Sequence, residues 1–172
     1  KYGIAMNIAG GTHHAYAAKG EGFCIFNDMA IASNMLLREN LVQKILFIDL
    51  DVHQGNGNAK IFENRPEVFT FSMHGERNYP LRKEKSDLDI GLPDGTADKE
   101  YLYTLELTLD DLFSKLKPDL VFYQAGVDVL DTDKLGRLSL SLDGCKKRDE
   151  LVLTACQQEK VPVMICMGGG YS

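Results

Sequence analysis

Five short and almost continuously apolar runs, at residues 2–9, 44–50, 67–73, 119–124 and 161–167, most constrain what this chain can fold into. Runs of this length and composition suit parallel strands covered on both faces. Segments of helical period lie between them. Residues 29–38 place Met29, Ala32 and Leu36, together with Ile31 and Met35, at helical spacing, with Asn27 or Asp28 as the N-cap. Residues 98–116 step Leu102, Leu105, Leu109, Leu112 and Leu116 by three and four, with Asp98 as the expected cap and Pro118 after the end. Residues 144–159 repeat the pattern with Leu151, Val152 and Ala155 inward and Asp143 as cap. Strand–helix–strand alternation predicts an α/β domain with a mainly parallel sheet.

The length of 172 residues suits one domain, residues 1–172, and 44% apolar residues supply a real core. Lys1 opens almost directly into a strand and Ser172 falls in a glycine loop just after another, so the chain reads as the middle of a longer domain. Lys and Arg number 19 against 25 Asp and Glu, a net charge of −6 that repels phosphate and disfavours nucleic acid and anionic membranes as partners. No apolar run approaches the roughly 20 residues of a spanning helix, and no signal-peptide pattern is seen. Cys24, Cys145, Cys156 and Cys166 form no C-x-x-C pair, which excludes zinc fingers, argues against a disulfide framework and implies a reducing, cytoplasmic setting. Cys24, in a run with Phe23 and Ile25, reads as a packed thiol. Residues 75–97 show neither period; Arg82, Lys83 and Lys85 against Asp87 and Asp89 make either a functional loop or a solvated rim.

In open α/β sheets, ligands bind beyond the carboxyl ends of the strands. All four histidines fall at such ends: His13 and His14 after Gly10-Gly11, His53 after Asp49-x-Asp51, and His74 after Ser72-Met73. In extended backbone Asp49, Asp51 and His53 share a face. Asp51 and His53 form either a hydrogen-bonded pair or two arms of a chelate to which Asp128 adds a third ligand. Two carboxylates, one imidazole and an open position describe a catalytic zinc site, and the oxygen-rich set also suits Fe(II). His13 and His14 supply proton transfer near pH 7 or else form a structural or second metal pair. Asp49 is placed to orient one imidazole, and His74 reads as structural. Gly168-Gly169-Gly170 matches no nucleotide motif but allows a tight turn that aims Tyr171 into the cleft, where its hydroxyl can donate to an oxyanion.

Together, GGTHHA at 10–15, GFCIFND at 22–28, IDLDVHQGNG at 48–57, YQAGVDVL at 123–130, LGRLSLS at 135–141 and GGGY at 168–171 resemble the zinc-dependent histone deacetylase family of the arginase–deacetylase fold. HQGNG, NYP at 78–80 and KRDEL at 147–151 are most similar to the class IV branch and its bacterial relatives. The resemblance implies a three-layer α/β/α domain and a metal-dependent deacetylase acting on acylated lysine in protein, with acetylpolyamines or other small acylated amines as the alternative. It implies Zn²⁺ on Asp51, His53 and Asp128. His14 would be the general base and later acid, His13 its electrostatic partner oriented by Asp49, and Tyr171 the group polarising the acyl carbonyl. Gly22, Phe23, Tyr79 and Gly170 would contact the substrate chain. A structural potassium ion would take Asp49, Asp51, His53, Ser72 and Met73, several through backbone carbonyls.

One position departs from many members of that family: Asn56 stands where they carry Asp as partner of the second histidine. A neutral amide accepts the imidazole N–H but stabilises no imidazolium by charge, so His14 is expected to have a lower pKa than an Asp would give it. Two rivals remain in view. A two-manganese ureohydrolase wants D-x-H-x-D, and Gly55 occupies the second carboxylate position. A non-catalytic acyl-lysine binding module would have lost a ligand or Tyr171, and both are present.

Overall fold

The computed structural model describes residues 3–171. Strands β1 (Ile4–Asn7), β2 (Ile45–Asp49), β3 (Val68–Gly75), β4 (Leu88–Leu92), β5 (Leu120–Gln124) and β6 (Val163–Cys166) alternate with helices α1 (Asp28–Arg38), α2 (Asn56–Phe62), α3 (Asp98–Leu116) and α4 (Leu142–Gln158). The sheet runs β1-β6-β5-β2-β3-β4 and every pairing is parallel.

All five residues of β2 are buried because helices cover both faces. Leu46 and Ile48 pack with Tyr101, Leu105, Leu109 and Leu112 of α3 and Val152 and Cys156 of α4. Ile45 and Phe47 point the other way, into Met29 and Ala30 of α1 and Phe62 of α2, with Phe47 edge-on to Phe62 and to Phe122, centroids 5.3 Å apart in both pairs. Alternate side chains of one strand thus serve two cores, which is why its sequence reads as continuously apolar. No helix among the described residues is long and apolar enough to cross a membrane.

The structure corrects several sequence readings. Edge strand β1 is less covered than the central strands, with Ile4 58% and Met6 57% exposed, although Asn7 at its end donates to Asp28 of α1 at 3.2 Å. The buried face of α1 is Met29, Ala30 and Ser33, while Ile31 and Met35 are exposed. Asn27 caps α1, its side chain accepting from Ala30 N. Asp98 does not cap α3; its carboxylate instead accepts from Ser141 N and Oγ at 2.8 and 2.6 Å, and Ser141, not Asp143, caps α4. The run around Cys24 is a surface turn with Phe23 and Ile25 exposed.

Two elements escaped the sequence reading. Helix α2 begins Asn-Gly-Asn, poor helix formers. It persists because Asn56, Gly57, Asn58, Ala59 and Phe62 are buried, with Asn58 N donating to His13 O at 3.2 Å. Strand β4 lies in the stretch 75–97 and is an edge strand rich in Asp and Gly, which propensity disfavours. Its flanks are pinned instead: Asp87 accepts from Thr70 N and Oγ, Asp89 from Gln54 Nε2 and Ser86 N. Lys83 donates to the carbonyls of Asn78 and Pro80, so this stretch is more than a solvated rim.

Candidate metal centre and cavity

From β2 the chain proceeds to β3 and β4 on one side, then returns to place β5 and β6 on the other. The carboxyl ends of β2 and β5 therefore flank the topological switch point, where such sheets form their ligand crevice. Asp51 and His53 follow β2 and Asp128 follows β5, and candidate ligand atoms from all three lie within 4.8 Å of one another. His53 Nδ1 is 3.0 Å from Asp51 Oδ1 and 3.1 Å from Asp128 Oδ2. One ring proton can serve only one of these oxygens, and Asp128 Oδ2 is left buried without a hydrogen bond. The remaining carboxylate oxygens are held in place: Asp51 Oδ2 accepts from Gly169 N at 2.8 Å and Asp128 Oδ1 from Val52 N at 2.9 Å.

Burial raises Asp128 to a pKa of about 6, reinforced by the charge of Asp51. His53 is opposed by burial but lifted to about 10 by the close carboxylates of Asp128 and Asp51. An orphaned, buried carboxylate oxygen facing an imidazole and a second carboxylate is a donor set that a divalent cation satisfies.

The two neighbouring histidines sit 4.1 Å apart, centroid to centroid, with different partners. His13 Nδ1 is 2.7 Å from Asp49 Oδ2. Burial pulls His13 down, but Asp49 and Asp51 outweigh it and bring the pKa to about 9. His14 Nδ1 is 2.6 Å from Asn56 Oδ1. Burial, then the charge on His13, pushes His14 down to about 3. The two rings are thus driven in opposite directions, His13 toward the cation and His14 toward the neutral base. His74, bonded to Ser72 Oγ at 2.9 Å, is buried and held down to about 4, as a structural residue would be.

Above this floor lies a cavity of about 490 Å³ lined by His14, His53, Gly22, Phe23, Tyr79 and Tyr171, with Arg77 and Arg137 at its margin. Glu21 N and Cys24 O, and the reverse pair, bond at 2.9 Å around a two-residue turn. Both its central residues have positive φ, 54° at Gly22 and 65° at Phe23, the pattern of a type I′ turn. A Cβ at residue 22 would run into the His14 ring, so only glycine fits. The turn presents Phe23 toward Tyr171, centroids 6.5 Å apart, and Tyr79 stands edge-on to His14 at 5.0 Å. Burial raises the Tyr171 phenol, and its backbone N–H donates to Asp133 Oδ2 at 2.6 Å. Gly170 is not among the residues lining this cavity; it lies on the adjacent cavity next to Val127. In the ladder Asp49 stands opposite Ser72, with Met73 next along β3.

Sequence reasoning missed two supports of the site. Arg148 is fully buried and donates to the carbonyls of Leu50 and Gly126, at 3.2 and 2.5 Å, just ahead of Asp51 and Asp128. Its signal was a charge on the core stripe of α4, three residues after Cys145 and four before Val152. Asp28 accepts from Gly11 N, Thr12 N and Thr12 Oγ, at 3.2, 3.1 and 2.6 Å, holding the loop that carries both histidines. Its neighbour Asn27 took the capping role, which left this carboxylate free for the loop.

Fold and site together define a parallel α/β protein with a candidate metal centre at the carboxyl edge of its sheet. Residues 1–172 match the histone deacetylase domain family, and the chain belongs to it. An uncharacterized protein of Picosynechococcus sp. is 52% identical over 172 residues, spanning 100% of this chain and 57% of the relative. Histone deacetylase 2 of Arabidopsis thaliana is 35% identical across 98% of the chain and 44% of its own length. The crystal structure of a histone deacetylase homolog from Aquifex aeolicus superposes with a TM-score of 0.84 at 30% identity, covering 96% of this chain and 47% of that one. The chain thus spans about half the length of the relatives it matches.

Proposed function

We propose that the complete protein is a zinc-dependent amidohydrolase that removes an acetyl or longer acyl group from the amine of lysine. The observation that carries this reading is a pair of adjacent histidines, His13 on the Asp49 carboxylate and His14 on the Asn56 amide, at the foot of a cavity whose floor is the Asp51, His53 and Asp128 cluster. A zinc ion on those three residues would acidify water and polarise an acyl carbonyl. His14, with Nδ1 engaged by Asn56, has its other nitrogen available to take a proton from the attacking water and return it to the departing amine. Tyr171, held protonated, donates its hydroxyl to the oxygen that gains charge. Charged His13, fixed by Asp49, favours that same build-up of negative charge. Gly22, Phe23 and Tyr79 flank the apolar lysine stem, and Gly170 positions the turn before Tyr171.

The resemblance also supports a potassium ion at Asp49, Asp51, His53, Ser72 and Met73, and a place near the class IV branch through HQGNG, NYP and KRDEL. Four free thiols, three of them buried, agree with a reducing, cytoplasmic compartment. Hydrolysis of an acyl-lysine peptide by the complete, zinc-loaded protein, lost on Asp128→Ala, is the expected result. A wild-type protein that binds zinc but hydrolyses no member of an acyl-chain-length series, on peptide or on polyamine, would overturn the reading.

A further inference from the structure

Glu21 stands outside the roles assigned above, yet it meets both Asn56, the partner of the proposed base, and Tyr79 on the wall of the cavity. Asn56 Nδ2 donates to Glu21 Oε1 at 3.0 Å and to Tyr16 Oη at 3.0 Å, while its Oδ1 faces His14 Nδ1 at 2.6 Å. The Tyr79 hydroxyl donates to the same Glu21 oxygen at 2.7 Å. Lys19 Nζ holds the other carboxylate oxygen at 2.6 Å, and the Tyr16 hydroxyl in turn donates to Glu84 at 3.1 Å. Glu21 is also the first residue of the turn that carries Gly22 and Phe23.

An asparagine amide can face either way, and its two orientations demand opposite things of a histidine. With Oδ1 toward His14, the ring must carry its proton on Nδ1 and leave the other nitrogen bare; with Nδ2 toward it, the reverse holds. An ionised carboxylate accepts only, so a flipped amide would set Oδ1 against Glu21 Oε1, oxygen to oxygen. The hydroxyl of Tyr16 already donates to Glu84, so it too accepts from Asn56. The charged acceptor is the stronger of the two.

We propose that Glu21 is a positioning residue that orients the Asn56 amide, thereby fixing the tautomer of His14, and that it anchors Tyr79 to the same point. Resting on the proposed hydrolase, this gives the neutral amide at position 56 a role that an aspartate would fill without help. It also links the partner of the base, Asn56, to the substrate wall through one oxygen atom.

The test is nitrogen NMR of histidine-labelled complete protein, read beside steady-state kinetics on an acyl-lysine peptide. Wild-type His14 is expected to show a protonated Nδ1 and a bare Nε2. Glu21→Ala should mix the tautomers and lower kcat about 10-fold, the lower end of what outer partners contribute. Tyr16→Phe should do so less. Glu21→Gln, which keeps an acceptor oxygen and nearly the same volume, should restore the wild-type signal and most of kcat. Tyr79→Phe should raise KM without altering the His14 signal. An unchanged His14 tautomer and kcat in Glu21→Ala would overturn the proposal, and so would a Glu21→Gln protein as impaired as the alanine variant. The NMR signal needs no turnover, so it tests Glu21 even if the protein proves not to hydrolyse acyl-lysine.

Discussion

At the floor of the site Asp49, Asp51, Asp128 and His13 are almost wholly withdrawn from water, whereas Phe23 on the wall above them exposes 90% of its surface. The floor lies beyond the central strands β2 and β5 and is backed by Arg148 and backbone amides, which leave Asp128 Oδ2 as its one carboxylate oxygen buried without a hydrogen bond among the described residues. The wall rests on a turn with two positive-φ residues and on a long connection between β3 and β4. Burial strengthens every charge interaction at the floor and makes a missing partner costly. At the wall, shape and apolar contact matter more, and on the proposed function single changes would be felt mainly by the substrate. Chemistry would then fall to the buried floor and selectivity to the exposed wall.

Breaking the floor should have the largest effect. Asp128→Ala removes a candidate ligand and, on the proposed function, should weaken zinc binding more than about 100-fold, beyond the 10–100-fold typical of outer partners, as chelator competition on the complete protein would measure. Retained affinity would remove Asp128 from the metal set. Tyr171→Phe sits between floor and wall; if its hydroxyl acts as an oxyanion donor, kcat should fall about 10²–10³-fold with little change in KM. Near-normal turnover would leave Tyr171 a wall residue only.

The partner of His14 sharpens the comparison further. Asn56→Asp alone would press a carboxylate against Glu21, so the informative variant is Asn56→Asp with Glu21→Gln. A negative partner should raise the pKa of His14 by about one to three units. A base with a raised pKa stays protonated to higher pH, so the acidic limb of the kcat–pH profile should move upward. An unmoved limb would mean that His14 is not the base observed.

The smallest effect is expected at the tip of the wall. Left-handed backbone costs an ordinary residue about 1–2 kcal/mol, and Phe23 regains little of this through burial. Phe23→Gly should therefore leave thermal stability unchanged or raise it by up to about 1 kcal/mol, while KM rises. A loss of stability would show that Phe23 packs as part of the fold.

The alternation of apolar runs and helical periods was enough to place β2, β3, β5 and β6 within a residue or two at most ends. It also placed α3 at its observed bounds. The candidate ligands were legible because glycine, histidine and aspartate after a strand have no place in a core. Helix α2 and strand β4 were not legible, since burial and side-chain clamps hold them against their propensity. Arg148 and Glu21 were equally hidden. One lies 98 residues from the carbonyl of Leu50 it supports and the other 35 from Asn56, separations across which no local pattern survives.

What the sequence determined by itself was the inventory of chemistry at the strand ends and the α/β frame that collects it, because period and residue type act locally. The tertiary structure decided how far burial and nearby charge drive the pKa values of two adjacent histidines apart. Identical side chains differ only through what distant segments bring against them: the carboxylate of Asp49 for His13, and for His14 the amide of Asn56.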